Sequence, residues 1–229
     1  MTYSADVAWQ KNPERHVVIL GSRSEIYQSM RQMMLNDGWA LWEWNKGDLW
    51  GAPQWDVLIN FIGRLAPVGP WEERDIRSGV ESNLLRPIEL LQQLWNRHNS
   101  NASVCFLAGP NPNKVMHNYV PYATSKMALL KAVEHMDAET SDAKLFSLGP
   151  GYVPTKIHKS ARLAGLGDDF ELRGLGTSPE RIYSCLKWCI QQPKEVIGGR
   201  NICVSDPWGP ELAERLKANQ DLYKLRRVE

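Results

Sequence analysis

Short apolar runs of strand length alternate along this chain with stretches of helical periodicity, and that alternation leaves few folds open. His16-Val17-Val18-Ile19-Leu20 reads as a strand, followed by Gly21 and a helix from about Ser24 to Asn36. Trp39–Trp44 is rich in β-forming residues, and Val57-Leu58-Ile59-Asn60, entered from Trp55-Asp56, is a third strand. A long helix is expected from about Trp71 to His98, with Leu84, Ile88, Leu91 and Leu94 on one face. Strand Ser103–Leu107 and a helix over 119–138, with Met127, Leu130 and Val133 on its buried side, come next. Strand Lys144–Leu148, helix Pro179–Gln191 and strand Asn201–Val204 complete the series. Strand, crossover helix and strand in this order predict an α/β fold: a parallel sheet with helices on both faces, in one domain of 229 residues. Residues 155–177 carry much glycine and charge and little periodicity, and are expected to form a mobile lid over a substrate site.

Composition narrows the function classes. The chain is 43% hydrophobic and 23% charged with a formal net charge of +1, which is ordinary for a soluble globular domain. Near-neutral charge argues against nucleic acid as a partner, because phosphate binding needs a basic surface. No apolar run reaches membrane-spanning length, and the segment from Met1 to Pro13 is polar rather than signal-like. The four cysteines, Cys105, Cys185, Cys189 and Cys203, all fall in apolar segments without a zinc-site spacing, so they read as buried thiols in a reducing cytoplasm. Of ten tryptophans, five lie between Trp39 and Trp55; they read as a core strand and packed sheet edge rather than as a ligand patch.

The chemistry is concentrated in Tyr122-Ala123-Thr124-Ser125-Lys126. On a helix, Tyr122 and Lys126 stand one turn apart on the same face. A free phenol titrates near pH ~10, and a fixed ammonium beside it is expected to lower that value, making the phenol an acid–base group for a carbonyl/alcohol pair.

With this pair in place, the chain resembles the short-chain dehydrogenase/reductase family over nearly its full length. Gly21 stands at the first glycine of that family's nucleotide turn. Asn60-Phe61-Ile62-Gly63 looks like its Asn-Asn-Ala-Gly segment. Ser82-Asn83-Leu84 is similar to the segment whose Asn holds a relay water. Pro150-Gly151-Tyr152-Val153-Pro154-Thr155 resembles its Pro-Gly…Thr segment, and Gly198–Val204 its closing strand. The resemblance implies a Rossmann-type doubly wound sheet and an NAD(P)-dependent oxidoreductase acting on a small carbonyl or alcohol. It implies Tyr122 as the acid, Lys126 as the group that tunes Tyr122 and binds the nicotinamide ribose, and Asn83 as the anchor of a relay water. Cofactor contacts would come from Gly21, Ser22, Arg23, Ile26, Asn45, Lys46, Asn60, Ile62, Gly63, Pro150, Gly151, Val153 and Thr155, together with Tyr122 and Lys126. A homodimer or homotetramer is implied as well.

Three departures stand against this pattern. The family's Gly-x-x-x-Gly-x-Gly is here Gly21-Ser22-Arg23-Ser24-Glu25-Ile26-Tyr27, which puts a carboxylate at a helix start that favours phosphate and bulk where close packing is usual. Arg23 is expected to offset this by pairing with a phosphate or with Glu25. The family's catalytic serine falls on Gly109, so Asn111, Asn113 or His117 would have to supply a donor. The stretch between Trp44 and Val57 is too short for a further helix and strand, so one βα unit after the second strand is expected to be missing, leaving the Trp-rich strand at or near the sheet edge. With Asn45-Lys46 where an acidic ribose partner would stand, NADP is favoured over NAD. Two readings follow: an active oxidoreductase, or an impaired relative kept as a binding or assembly subunit.

Overall fold

The computed structural model describes residues 15–109, 115–163, 165–166 and 176–226. Six strands form one parallel sheet in the order β2-β1-β3-β4-β5-β6. They are β1 (His16–Leu20), β2 (Ala40–Trp44), β3 (Trp55–Asn60), β4 (His98–Leu107), β5 (Ala143–Gly149) and β6 (Asn201–Cys203). The apolar runs are continuous rather than alternating because both faces of the inner strands are covered. In β1, Val17 and Ile19 enter one core while Val18 and Leu20 enter the other; Ile59 and Leu58 of β3 divide the same way.

Helices α1 (Glu25–Asn36) and α6 (Pro179–Gln191) cover the first face, with Tyr27, Met30 and Met34 meeting Tyr183, Leu186 and Ile190 there. The second face is covered by α3 (Arg86–Leu94) and α4 (Val120–Ala138), through Leu90, Leu94, Leu129 and Val133. This is the expected doubly wound arrangement. From β1 the chain winds outward to β2, then returns past β1 to β3, so the winding reverses beside β1 and leaves a crevice at the strands' carboxyl ends. Strand β2 is the edge, as the short Trp44–Val57 connection requires. Trp39, Trp44 and Trp55 are buried, and the Trp55 indole donates to the Leu94 carbonyl at 3.2 Å, so that edge is packed from within.

The helix expected over 71–98 is instead broken. A 3-10 turn (Trp71–Glu73) and α2 (Ile76–Val80) precede a π turn (Glu81–Leu85), and only then does α3 begin. Pro87 has no N–H, so the α-helical ladder cannot run unbroken past Asn83, and one wide turn takes up the register. The apolar face hides this break, because Leu84, Ile88, Leu91 and Leu94 all pack on the same core. A glycine is needed at position 79: a Cβ there would lie 2.5 Å from the Pro121 carbonyl oxygen, where α2 meets the start of α4. Strand β4 starts at His98, earlier than its apolar run, because polar side chains hold its beginning: Asn99 donates to Asp56 (2.7 Å) and His98 pairs with Asp142 (3.0 Å). Met127, expected on the buried side of α4, is half-buried, while Leu129 joins Leu130 and Val133 inside.

Cys105, Cys185 and Cys189 are buried thiols and Cys203 is half-buried. Among the described residues, no helix is long and apolar enough to cross a membrane.

The carboxyl-terminal part is organised by one buried cation. Arg200 is fully buried and lies between α7 (Lys194–Ile197), β6 and α8 (Pro210–Ala218). Its guanidinium donates to the carbonyls of Val196 (2.6 Å), Leu216 (2.7 Å), Glu195, Asn219 and Leu222 (each 3.1 Å). All but that of Leu222 are carbonyls at or beside helix ends, which the helix itself leaves without a partner. Replacing Arg200 with Leu strands several buried acceptors, and urea denaturation is expected to show a loss of about 2–4 kcal/mol.

Candidate active site

The crevice beside β1 opens into a cavity of about 1730 Å³, lined by the loops that follow β1, β2, β3, β4 and β5, by one face of α4, and by Ser205, Asp206 and the stretch from Leu222 to Leu225. Gly21 forms its tightest wall. At φ 84° a side chain would be strained, and a Cβ would meet the Ile62 nitrogen at 3.0 Å. The Gly21 and Ser22 N–H groups are spent on the Trp44 carbonyl at 2.9 and 3.1 Å, which fixes the turn against the edge strand.

The two residues that replace the usual glycines each have a partner. Glu25 opens α1 and reaches across the crevice: its carboxylate accepts the Lys156 N–H at 2.7 Å, and the Lys156 ammonium lies 3.6 Å away. The expected pairing with Arg23 is not formed. Lys156 follows β5 and lies nearer in space, while Arg23 is exposed. Tyr27 turns its ring into the core, 5.4 Å from Phe61, and its hydroxyl donates to Glu43 of β2. Arg31 binds the same carboxylate at 3.0 and 3.1 Å and holds it below the usual range. The bulk at Tyr27 therefore clamps α1 to β2 instead of obstructing it.

The acid–base pair lies on the other side of the cavity. Lys126 is buried, and its ammonium donates to the Leu107 carbonyl at 2.7 Å. Burial pulls its pKa down to about 8. Tyr122 is 9% exposed, and burial pushes its phenol up. This reverses the expectation from the four-residue spacing: proximity to Lys126 was expected to lower the phenol, but desolvation dominates. A phenol held in this way is protonated at neutral pH and suited to donating its proton.

The Asn83 side chain is bonded on both sides within the protein. Its oxygen accepts the Arg64 N–H (2.7 Å), and its amide donates to the Arg64 carbonyl (2.9 Å) and to Ser125 (3.0 Å). Ser125 in turn donates to the Tyr122 carbonyl at 2.8 Å. Asn83 is thus a clasp between the catalytic helix and the loop after β3. That loop includes Gly63, where a Cβ would lie 3.6 Å from the Lys126 nitrogen.

A side chain at position 109 would crowd the pair, since a Cβ there would lie 3.2 Å from the Tyr122 hydroxyl oxygen and 3.3 Å from Lys126. His117 is exposed and outside the lining, so it does not replace the serine; Asn111 and Asn113 lie outside the described residues.

Of the residues picked out from the sequence, Gly21, Arg23, Ile26, Asn45, Lys46, Ile62, Gly63, Tyr122, Lys126, Pro150, Gly151, Val153 and Thr155 all line this cavity. Ser22, Asn60 and Asn83 stand behind it. The Ser22 carbonyl accepts from Gln28 (2.6 Å), and Asn60 is fully buried. Sequence reasoning missed Trp44, Arg64, Arg86 and Lys156, which also line the wall. Arg86 lies 5.5 Å over the Trp44 ring, and the buried Trp44 indole N–H has no partner among the described residues. Of the expected lid, residues 155–163, 165, 166, 176 and 177 are described. They include a 3-10 turn (Lys156–His158) and α5 (Lys159–Leu163), and Thr155, Lys156, Ile157, His158 and Thr177 line the cavity.

The wall fits a dinucleotide. Gly21 keeps the turn tight against the loop after β3, and Arg23, Lys46, Arg64 and Arg86 supply positive charge along the wall. Against them stands the Glu25 carboxylate, which is bound to Lys156.

No protein-family model matches the sequence, and no curated protein matches it. Solved structures do. The ligand-free aldohexose dehydrogenase of Thermoplasma acidophilum superposes with a TM-score of 0.70 at 12% identity, covering 86% of this chain and 97% of that one. A short-chain dehydrogenase/reductase from Saccharomyces cerevisiae gives 0.71 at 18% identity, covering 87% and 98%. A small-chain dehydrogenase in complex with NADPH gives 0.72 at 15% identity, covering 83% and 96%. At these identities the likeness establishes the fold, which is that of the short-chain dehydrogenases.

Glu25→Gln keeps an acceptor for the Lys156 N–H and removes the charge facing the phosphate position. NADPH is expected to bind several-fold tighter to this variant in a fluorescence titration. Unchanged or weaker binding would show that Glu25 does not oppose the nucleotide.

Proposed function

We propose that this protein is an NADP(H)-dependent oxidoreductase that reduces a carbonyl group on a small molecule. The observation that carries this reading is the placement of Tyr122 and Lys126, buried one helical turn apart, on the wall of the same cavity as the Gly21 turn.

Gly21, Arg23, Ile26, Asn45, Lys46, Ile62, Gly63, Pro150, Gly151, Val153 and Thr155 would hold the nucleotide, whose nicotinamide, when bound, supplies the hydride. The remaining chemistry belongs to the chain. Tyr122, kept protonated by burial, donates its proton to the substrate oxygen. Lys126, fixed by the Leu107 carbonyl, places a positive charge beneath the developing phenolate. Asn83 and Ser125 hold the β3 loop and α4 in register. With glycine at position 109, no second side-chain donor reaches the oxygen from that strand end, an omission that typically costs on the order of a hundredfold in rate. NADP is preferred because Arg23, Lys46 and Arg86 surround the cavity end beside β2, where a phosphate on the adenosine ribose would lie.

One observation favours a second reading. The Glu25–Lys156 bridge spans the crevice where a diphosphate would pass, as expected of a relative that binds nucleotide poorly and acts as a binding or assembly subunit.

Tyr122→Phe is expected to lower NADPH-dependent carbonyl reduction by about 10²–10⁴-fold while leaving nucleotide affinity nearly intact. Full activity in that variant would mean that the proton comes from elsewhere.

The pH profile gives a separate check. Lys126 carries its charge below about 8 and loses it above, so kcat/KM for the nucleotide should fall as pH rises through that value. Its folded pKa lies below the ordinary 10.5, so the unfolded chain binds the proton more readily between about 8 and 10.5, and stability should rise across that window. A kcat/KM flat to pH ~10 would show that the Lys126 charge is not required.

A further inference from the structure

The ring of Tyr122 belongs to neither of the cores that flank the sheet. It sits in a third apolar cluster, where Leu65, Val68 and Ala161 are buried with it. Met116, Tyr119, Ile157 and Leu166 are half-buried against them. These residues come from the loop after β3, the approach to α4, and the segment after β5. Leu65, Met116, Tyr119 and Ile157 also line the cavity, and Val115, 82% exposed, carries the apolar surface out to its rim. Hydrocarbon gathered from three loops around a reacting hydroxyl makes a binding wall.

The carboxylates described on the wall are already committed. Each carboxylate described on it has a partner: Glu25 binds Lys156, Glu134 binds Arg226 and Lys131, and Asp206 accepts the Cys203 N–H. Glycine at position 109 removes a hydroxyl from the strand end that faces Tyr122. Hydroxyls of a substrate packed against Leu65, Met116 and Ile157 would meet hydrocarbon instead of partners, whereas one carbonyl oxygen finds Tyr122.

We propose that the substrate is an apolar carbonyl compound, an alkyl or aryl ketone or aldehyde, and not a polyhydroxylated one; this rests on the oxidoreductase reading above. The apolar body packs against Leu65, Met116, Tyr119 and Ile157, and the single oxygen is held by the Tyr122 hydroxyl.

The test uses the full chain and two readouts. NADPH oxidation is followed with alkyl and aryl methyl ketones of increasing length, and with aldohexoses and dihydroxyacetone. Separately, melting temperature is followed with an alkylbenzene, which has the apolar body but no carbonyl. The expected result is a kcat/KM that climbs with ketone chain length and exceeds that for any sugar at least a hundredfold, with a saturable rise in melting temperature from the alkylbenzene. Met116→Asp should lower ketone turnover at least tenfold. Preference for a sugar would overturn the substrate class and leave the oxidoreductase reading standing. Alkylbenzene binding without turnover of either series would support the apolar site and sink the oxidoreductase reading. Neither ketone turnover nor alkylbenzene binding would overturn the proposal.

Discussion

The structure depends on a requirement of its inner strands: β1, β3, β4 and β5 are apolar on both faces, and each face must be covered. Helices therefore have to lie on both sides of the sheet, and the winding has to reverse once to put them there. The reversal beside β1 leaves the loops after β1 and β3 without a helix between them. The cavity occupies that gap, and Tyr122 and Lys126 reach it because α4 runs across the second face. The same constraint sets the local electrostatics. The wall that receives Lys126 is the buried end of β4, where a charge is costly and the Leu107 carbonyl accepts from it.

Three positions that depart from the short-chain dehydrogenase pattern each have a structural partner. Tyr27 clamps α1 to β2 through Glu43 and Arg31. The space at Gly109 is closed by Tyr122 and Lys126, which press against it. Glu25 has found Lys156. The first two leave the cavity open, and the third crosses it. The open question of function is therefore electrostatic: whether four nearby cations outweigh one carboxylate that is already paired.

Much of this was legible in the sequence, for definite reasons. Continuous apolar runs such as Val17–Leu20 and Val104–Leu107 mark buried parallel strands, and the short Trp44–Val57 connection put β2 at the edge. The break at Asn83 was not legible, because the apolar stripe runs on through a turn that Pro87 prevents from being α-helical. The Glu25–Lys156 contact joins residues 131 positions apart, beyond the reach of any local pattern. The direction of the Tyr122 shift was misread because spacing reports which groups are neighbours, not how deeply they are buried. Arg200, read only as part of the closing strand, proved to be the hub of the carboxyl-terminal helices.

The central claim is that a nicotinamide nucleotide docks against the Tyr122–Lys126 wall. It is tested most directly by titrating the full-length protein with NADPH and NADH while following melting temperature and nicotinamide fluorescence. The account predicts saturable stabilisation, about 2.7 kcal/mol at a hundred times the dissociation constant, with NADPH binding more tightly than NADH. Absence of any stabilisation or fluorescence change with either nucleotide at millimolar concentration would contradict it.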